Sequence, residues 1–262
     1  MRIPLRLLAA AALALPAFAH ADSDPNEYVN TPAVQYGERE IDMKYGTRYF
    51  NDAQERESAG SIGLGYGATE WWFTEAYVKY HKDPGDRTRY DELEWENKFQ
   101  LTETNKYPAD VGFLIETEVP RAREEGRYIL IMGPLVQWDT GPLRWNTNVF
   151  FERAFNATTE EPHETELSYQ AQVTYRLPNG MDAGAQAFGD LGKWNDWLPK
   201  DEQSHRIGPA VFGKVKLEGR QAIVTIHPPL PMNEPGACRE RLTRLLADYA
   251  SHFPDQCWSL AL

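Results

Sequence analysis

The sequence predicts an all-β fold in which long antiparallel strands follow one another up and down, and three observations carry that prediction. The first is strict alternation. Glu166 to Leu177 puts Leu167, Tyr169, Ala171, Val173, Tyr175 and Leu177 on one face and Glu166, Ser168, Gln170, Gln172, Thr174 and Arg176 on the other. That two-residue period gives a strand one wholly apolar side and one wholly polar side. Its length exceeds that of an ordinary soluble strand and suits one that crosses a membrane at a tilt. The second observation is an export leader with no later apolar run long enough for a membrane helix. The third is a regular exchange of long and short connections along the chain.

The leader occupies residues 1–21. Met1 to Arg6 is a short basic start, Leu7 to Phe18 is apolar, and Ala19-His20-Ala21 is a small-x-small cleavage site, the three-part plan of a secretory signal peptide. Its apolar core is too short to anchor a chain, and about 18 apolar residues are needed for a spanning helix. A membrane protein without such helices must be a closed barrel. The composition fits one. The chain carries 39 Asp and Glu against 27 Lys and Arg, a formal charge of -12, which argues against nucleic acid as a partner. A mean hydropathy of -0.59 is expected where every second strand residue faces water. Many of the 8 Trp, 13 Tyr and 11 Phe fall near strand ends, as in the aromatic girdles of membrane barrels.

Residues 22–35 are polar and Pro-containing, and are expected to be a flexible lead-in. The barrel domain is expected at 36–227. Its first strand, Ile41 to Phe50, sets Ile41, Met43, Tyr45, Thr47 and Tyr49 against Asp42, Lys44, Gly46 and Arg48. A charged loop at 51–59 leads to Gly60 to Gly67, whose glycines imply a curved or closely packed strand. Trp72 to Tyr80 and Tyr90 to Leu101 follow, the latter with Leu93, Trp95, Asn97, Phe99 and Leu101 opposite Glu92, Glu94, Glu96, Lys98 and Gln100. Val111 to Val119, Tyr128 to Trp138, Leu143 to Phe151 and Glu166 to Leu177 keep the rule. Pro178-Asn179-Gly180 then turns the chain. Met181 to Phe188, Ile207 to Leu217 and Gln221 to Ile226 complete eleven readable strands. Connections at 51–59, 81–88, 121–126, 153–164 and 190–204 are expected to be long. Those at 68–71, 102–108, 139–142, 178–180 and 218–220 are expected to be shorter. A bias of that kind separates the two rims of a barrel.

The leader, the long alternating strands, the aromatic ends and the two-sided connections resemble a small bacterial outer-membrane β-barrel of the porin-like kind, over about residues 33–227. The resemblance is one of architecture, without a diagnostic motif. It implies an antiparallel up-and-down transmembrane β-barrel of about 12 strands, apolar side chains facing lipid, a polar interior, and location in the bacterial outer membrane. The periplasm is the alternative location. Such barrels have an even number of strands, and eleven are readable.

Residues 228–262 depart from the pattern. His227 to Gly236 is too proline-rich for a ladder strand, while Leu242, Leu245, Leu246, Tyr249 and Phe253 share a helical face. A shifted reading frame that replaced a twelfth strand is one origin for this tail. A periplasmic helix stapled by Cys238 and Cys257 is another, and a helix capping the barrel is the third.

The interior-facing candidates are Glu75, Lys79, Glu94, Glu96, Lys98, Glu116, Glu118, Arg144, Glu152 and Arg176. Glu94 with Glu96, and Glu116 with Glu118, are spaced to share a face. They read either as an acidic wall favouring small polar or cationic solutes, or as charges that neutralise one another within a filled barrel. No His-x-x-x-His or Cys-x-x-Cys spacing points to a metal, and no cofactor is implied. Paired carboxylates also serve glycoside hydrolysis, but no single pair stands out here. The expected function is therefore a passive pore or structural envelope protein with an acidic lumen, rather than an enzyme, with outer-membrane lipid around it. A soluble periplasmic β-sandwich or calyx that binds a small ligand is the alternative, and a barrel-embedded hydrolase the third reading.

Overall fold

The computed structural model of the chain describes residues 27–50, 55–121, 128–156, 164–178, 181–217, 220–227, 230–231 and 259–261, with side chains except at 48–50, 55–56 and from 213 onward. The expected signal peptide and most of the 228–262 tail, including Cys238 and Cys257, lie outside the described residues. The described residues contain no helix.

Fourteen strands follow in order: β1 Arg39–Phe50, β2 Glu55–Gly67, β3 Trp72–Lys82, β4 Arg89–Gln100, β5 Asp110–Pro120, β6 Tyr128–Thr140, β7 Leu143–Phe155, β8 Thr165–Arg176, β9 Asp182–Lys193, β10 Asp196–Trp197, β11 Ser204–Leu217, β12 Arg220–His227, β13 Leu230–Pro231 and β14 Ser259–Ala261. The eleven long ones form one antiparallel up-and-down sheet, each paired to the next in sequence. The short β10 folds back on β9 and the short β13 pairs with β11. β14 pairs Leu260 with Tyr45 of β1 and with Ile226 of β12. The order and number of the long strands match the eleven read from the sequence.

Alternation divides the sheet into two faces of opposite character. On β1, Ile41 is 65% exposed while neighbouring Asp42 is 7% exposed. On β2, Leu64 is 66% exposed and Ser61 is buried. The same holds round the sheet: Leu93, Trp95, Val149 and Phe151 are exposed, while Glu94, Glu96, Asn148 and Gln170 are buried. A protein that folds in water buries its large apolar side chains and exposes its charges. Here both preferences are reversed, because the pleat follows the alternating sequence faithfully. The large apolar side chains buried among the described residues are Val29, Phe73, Tyr77, Phe188 and a small cluster of Leu114, Leu135 and Phe150 on neighbouring strands.

Two local features have plain causes. Tyr77 and Phe73 lie over Gly63 and Gly65 of β2, where an added Cβ would come within 2.4 Å of a ring carbon, so the glycine run is close packing on a strand, as expected. The β6–β7 ladder lapses at Gly133 and Pro134, since Pro has no N–H to give. β2 starts earlier than the sequence suggests, with the charged stretch from Glu55 paired to Phe50 and its neighbours. The buried Glu57 shows why. Charge marks a loop only when both faces of a strand meet either water or oil, and this inner face is polar.

Residues 27–34, part of the 22–35 stretch expected to be a flexible lead-in, run along the inner face. Val29, Asn30 and Pro32 are buried. The segment touches strands far apart in the sheet, from β1 through β4, β7 and β8 to β11. One short segment reaches all of these only because the sheet curls round it. A turn at Gln35 to Gly37 joins the segment to β1, with Gly37 at φ 75°, a left-handed conformation that glycine adopts without strain. Gly37 N–H donates to Gly67 O at 2.8 Å, and Gly67 N–H to Glu38 O at 3.0 Å. A side chain at Gly67 would collide with the Gln35 carbonyl.

Candidate functional site: the inner face and its N-terminal segment

The inner face has two unlike walls. On β3 to β5 it is acidic. Register sets Glu75 opposite Glu96 and Glu96 opposite Glu116, three carboxylates in one row. In the next row Glu94 stands opposite Glu118. Like charges directly across a ladder are destabilising, so this arrangement needs cations.

Lys79 supplies one. A bulge between Val78 and Tyr80 puts two residues of β4 against one of β3 and brings Glu92 to the cluster. The Lys79 ammonium then lies 2.7 Å from Glu92, 2.7 Å from Glu94 and 2.8 Å from Glu118. Lys44 is 3.2 Å from Asp42 and sits 3.3 Å from the centre of the Tyr28 ring. Lys98 lies over Phe73 at 4.9 Å. Glu94, Glu96 and Glu116 each bring one oxygen within 4.8 Å of the others, a spacing compatible with a hard, oxygen-liganded cation. The corresponding group of Glu92, Glu94 and Glu118 already encloses Lys79.

The opposite wall, on β6 to β9, is built of amides. Gln186 donates to Gln172 at 2.7 Å, Gln172 to Asn146 at 3.3 Å, and Asn146 to Gln137 at 3.1 Å. These positions fall on one face for the same reason as the glutamates, two residues apart on each strand. Amides both donate and accept, so they satisfy one another without net charge.

Residues 27–34 bridge the walls. Glu27 is ion-paired with Arg206 of β11. The Tyr28 hydroxyl donates to Glu96 at 2.7 Å. Asn30 is clasped at both backbone groups: its N–H donates to Gln170 Oε1 at 3.1 Å, and its carbonyl accepts from Asn148 Nδ2 at 3.0 Å. Val34 N–H donates to Gln100 at 2.8 Å. Among the described residues, five buried side-chain atoms, Glu75 Oε1, Asn148 Oδ1, Gln186 Oε1, Asp190 Oδ2 and Arg206 Nε, have no hydrogen-bond partner. Buried polar atoms in folded proteins find partners in protein or water, so this interior is suited to water or polar solute.

Seven of the ten predicted interior residues, Glu75, Lys79, Glu94, Glu96, Lys98, Glu116 and Glu118, are gathered on β3 to β5. The other three are elsewhere. Arg144 pairs with Asp139 at 2.9 Å across the Gly141-Pro142 turn, and Arg176 lies 3.7 Å from Asp182 with its side chain 62% exposed; both belong to the rim at the short turns. Glu152 is on β7 opposite Glu166 and away from the cluster. Charge-based reading passed over Asn146, Asn148, Gln170 and Gln186, although alternation placed them on the polar face. It also passed over Glu27, Tyr28 and Arg206. Their partners lie 68 to 179 residues away in sequence, beyond the reach of local pattern.

No family model matches the chain, and no curated protein matches it in sequence. What the geometry defines is a class: an all-β up-and-down sheet with a polar, partly acidic inside and an apolar outside.

Proposed function

We propose that the chain is an outer-membrane β-barrel whose sheet closes on itself, with a resting interior filled by its own N-terminal segment and by paired side chains. The observation that carries this reading is the reversed polarity of the two faces. Exposed Ile41, Leu64, Trp95 and Phe151 are unfavourable in water and favourable in hydrocarbon, at roughly 25 cal/mol per Å² of apolar surface. Strands β1 to β9, each of 11 to 13 residues, meet the roughly 9–11 residues a tilted spanning strand needs. Closure is supported by β14, which pairs with β1 on one side and β12 on the other, and a closed ring leaves no strand edge unpaired in lipid. The polar inner face then serves as a structural filling or as a passive path for small polar solutes, cations before anions.

The test is extraction and gel migration. A membrane barrel stays with the envelope on osmotic shock, requires detergent, and migrates differently before and after boiling. Release of the folded protein into the shock fluid would mean a soluble calyx instead.

A further inference from the structure

We propose that residues 27–34 are a removable plug, hinged at Gln35 to Gly37, and that when they leave the interior the barrel conducts cations along the β3–β5 wall. This rests on the barrel reading and adds to it a gate and a solute class. The manner of attachment is the first reason. Besides burying Val29, Asn30 and Pro32, the segment is held by polar contacts that include the Glu27–Arg206 pair, Tyr28 on Glu96 and against Lys44, the two amides on Asn30, and Gln100 on Val34. Each can be exchanged for water without opening any strand pair. A permanently built-in element would join the ladder or bury a larger apolar surface.

The hinge is the second reason. The turn at Gln35 to Gly37 is fixed to β2 by the two Gly67 hydrogen bonds, so residues 27–34 can swing out while β1 keeps its register. Gly37 has nothing within 4 Å of a built Cβ, which leaves the pivot sterically free.

The third reason is what departure uncovers. Withdrawal of Tyr28 strips Glu96 of its hydroxyl donor and removes the ring from over Lys44. The row of Glu75, Glu96 and Glu116 then faces the bore with fewer protein groups to satisfy it. The middle of the amide wall is neutral, with Asn146, Asn148, Gln170, Gln172 and Gln186, and its cations Arg144 and Arg176 stand at the rim against Asp139 and Asp182. A bore with one acidic and one neutral wall attracts cations and repels anions. Arg206, freed from Glu27, stands at the other side of the segment and limits but does not cancel this bias.

The experiment uses the full-length chain in planar bilayers, with heat-dependent gel migration checked first on each preparation. Three variants are compared with it: deletion of residues 27–34, Glu27→Arg, and Glu27→Arg combined with Arg206→Glu. The full-length chain is expected to be mostly closed. The deletion should be open, with a reversal potential in a KCl gradient displaced toward potassium. Glu27→Arg should raise open occupancy about tenfold or more, the scale expected when a largely buried ion pair is replaced by repulsion. The double variant restores the pair with its charges exchanged and should return the barrel to the closed state. A preparation without a heat-sensitive folded band contradicts the barrel reading. Folded protein in which the deletion is silent, or anion-selective, overturns the plug, and so does a double variant as open as Glu27→Arg.

Discussion

The two inner walls solve the same problem by opposite means. Both must bring strongly polar side chains together away from bulk water. The amide wall does so with groups that donate and accept, so Gln186, Gln172, Asn146 and Gln137 form a chain in which neighbours complete one another. The acidic wall uses groups that only accept when ionised, and it therefore depends on Lys79, shared by Glu92, Glu94 and Glu118, with Lys44 beside Asp42 and Lys98 over Phe73 as further cations on the inner face. The difference teaches where the molecule is self-sufficient and where it is poised. One wall is neutral and satisfied by its own chemistry except at Asn148 Oδ1 and Gln186 Oε1. The other stays balanced only while Lys79 and Tyr28 remain in place.

The largest effect is expected at Lys79. Lys79→Met leaves Glu92, Glu94 and Glu118 around an uncharged side chain, and should cost about 3–5 kcal/mol, the scale for breaking a buried ion pair. Urea unfolding in detergent micelles measures it, and a loss below about 1 kcal/mol would mean that the acidic wall is well solvated. On the amide wall, Asn148→Leu removes the donors to Gln170 and to the Asn30 carbonyl and should cost about 1–3 kcal/mol. Limited proteolysis should then cut within residues 27–34 more readily than in the parent chain.

Glu116→Gln should act in the opposite direction. It relieves the like-charge contact with Glu96 directly across the ladder and should stabilise by about 0.2–1 kcal/mol. The gain should change little as salt is raised, because a buried pair is screened far less than an exposed one. The smallest effect belongs to the rim. Arg176→Gln breaks an exposed contact with Asp182 and should change stability by no more than about 1 kcal/mol. A larger loss would place Arg176 in the interior after all.

The sheet was legible in the sequence because its cause is local. Each long strand alternates, and Glu166 to Leu177 shows both faces without an interruption, so strand number, order and the sharing of faces by Glu94 with Glu96 and Glu116 with Glu118 follow from the period alone. The first strand boundary failed at Glu55 to Ala59, where charge looked like a loop but pointed into a polar interior. The clustering about Lys79 depends on a bulge and on Glu92, neither of which leaves a periodic mark. Residues 27–34 were hardest to place. A polar, proline-containing stretch has the same composition whether water or a polar lumen surrounds it, and the contact of Asn30 with Gln170 spans 140 residues.

The central claim is that the apolar row faces hydrocarbon and the polar row does not. Nitroxide labelling of β2 in lipid vesicles, one cysteine at a time at Ser61, Ile62, Leu64 and Tyr66 with Cys238 and Cys257 replaced by serine, tests it most directly. Labels at 62, 64 and 66 should be readily relaxed by oxygen dissolved in the bilayer and protected from a water-soluble nickel reagent, with 61 shielded from the oxygen. Equal access of the nickel reagent to positions 62, 64 and 66 would contradict a membrane barrel and leave a soluble one.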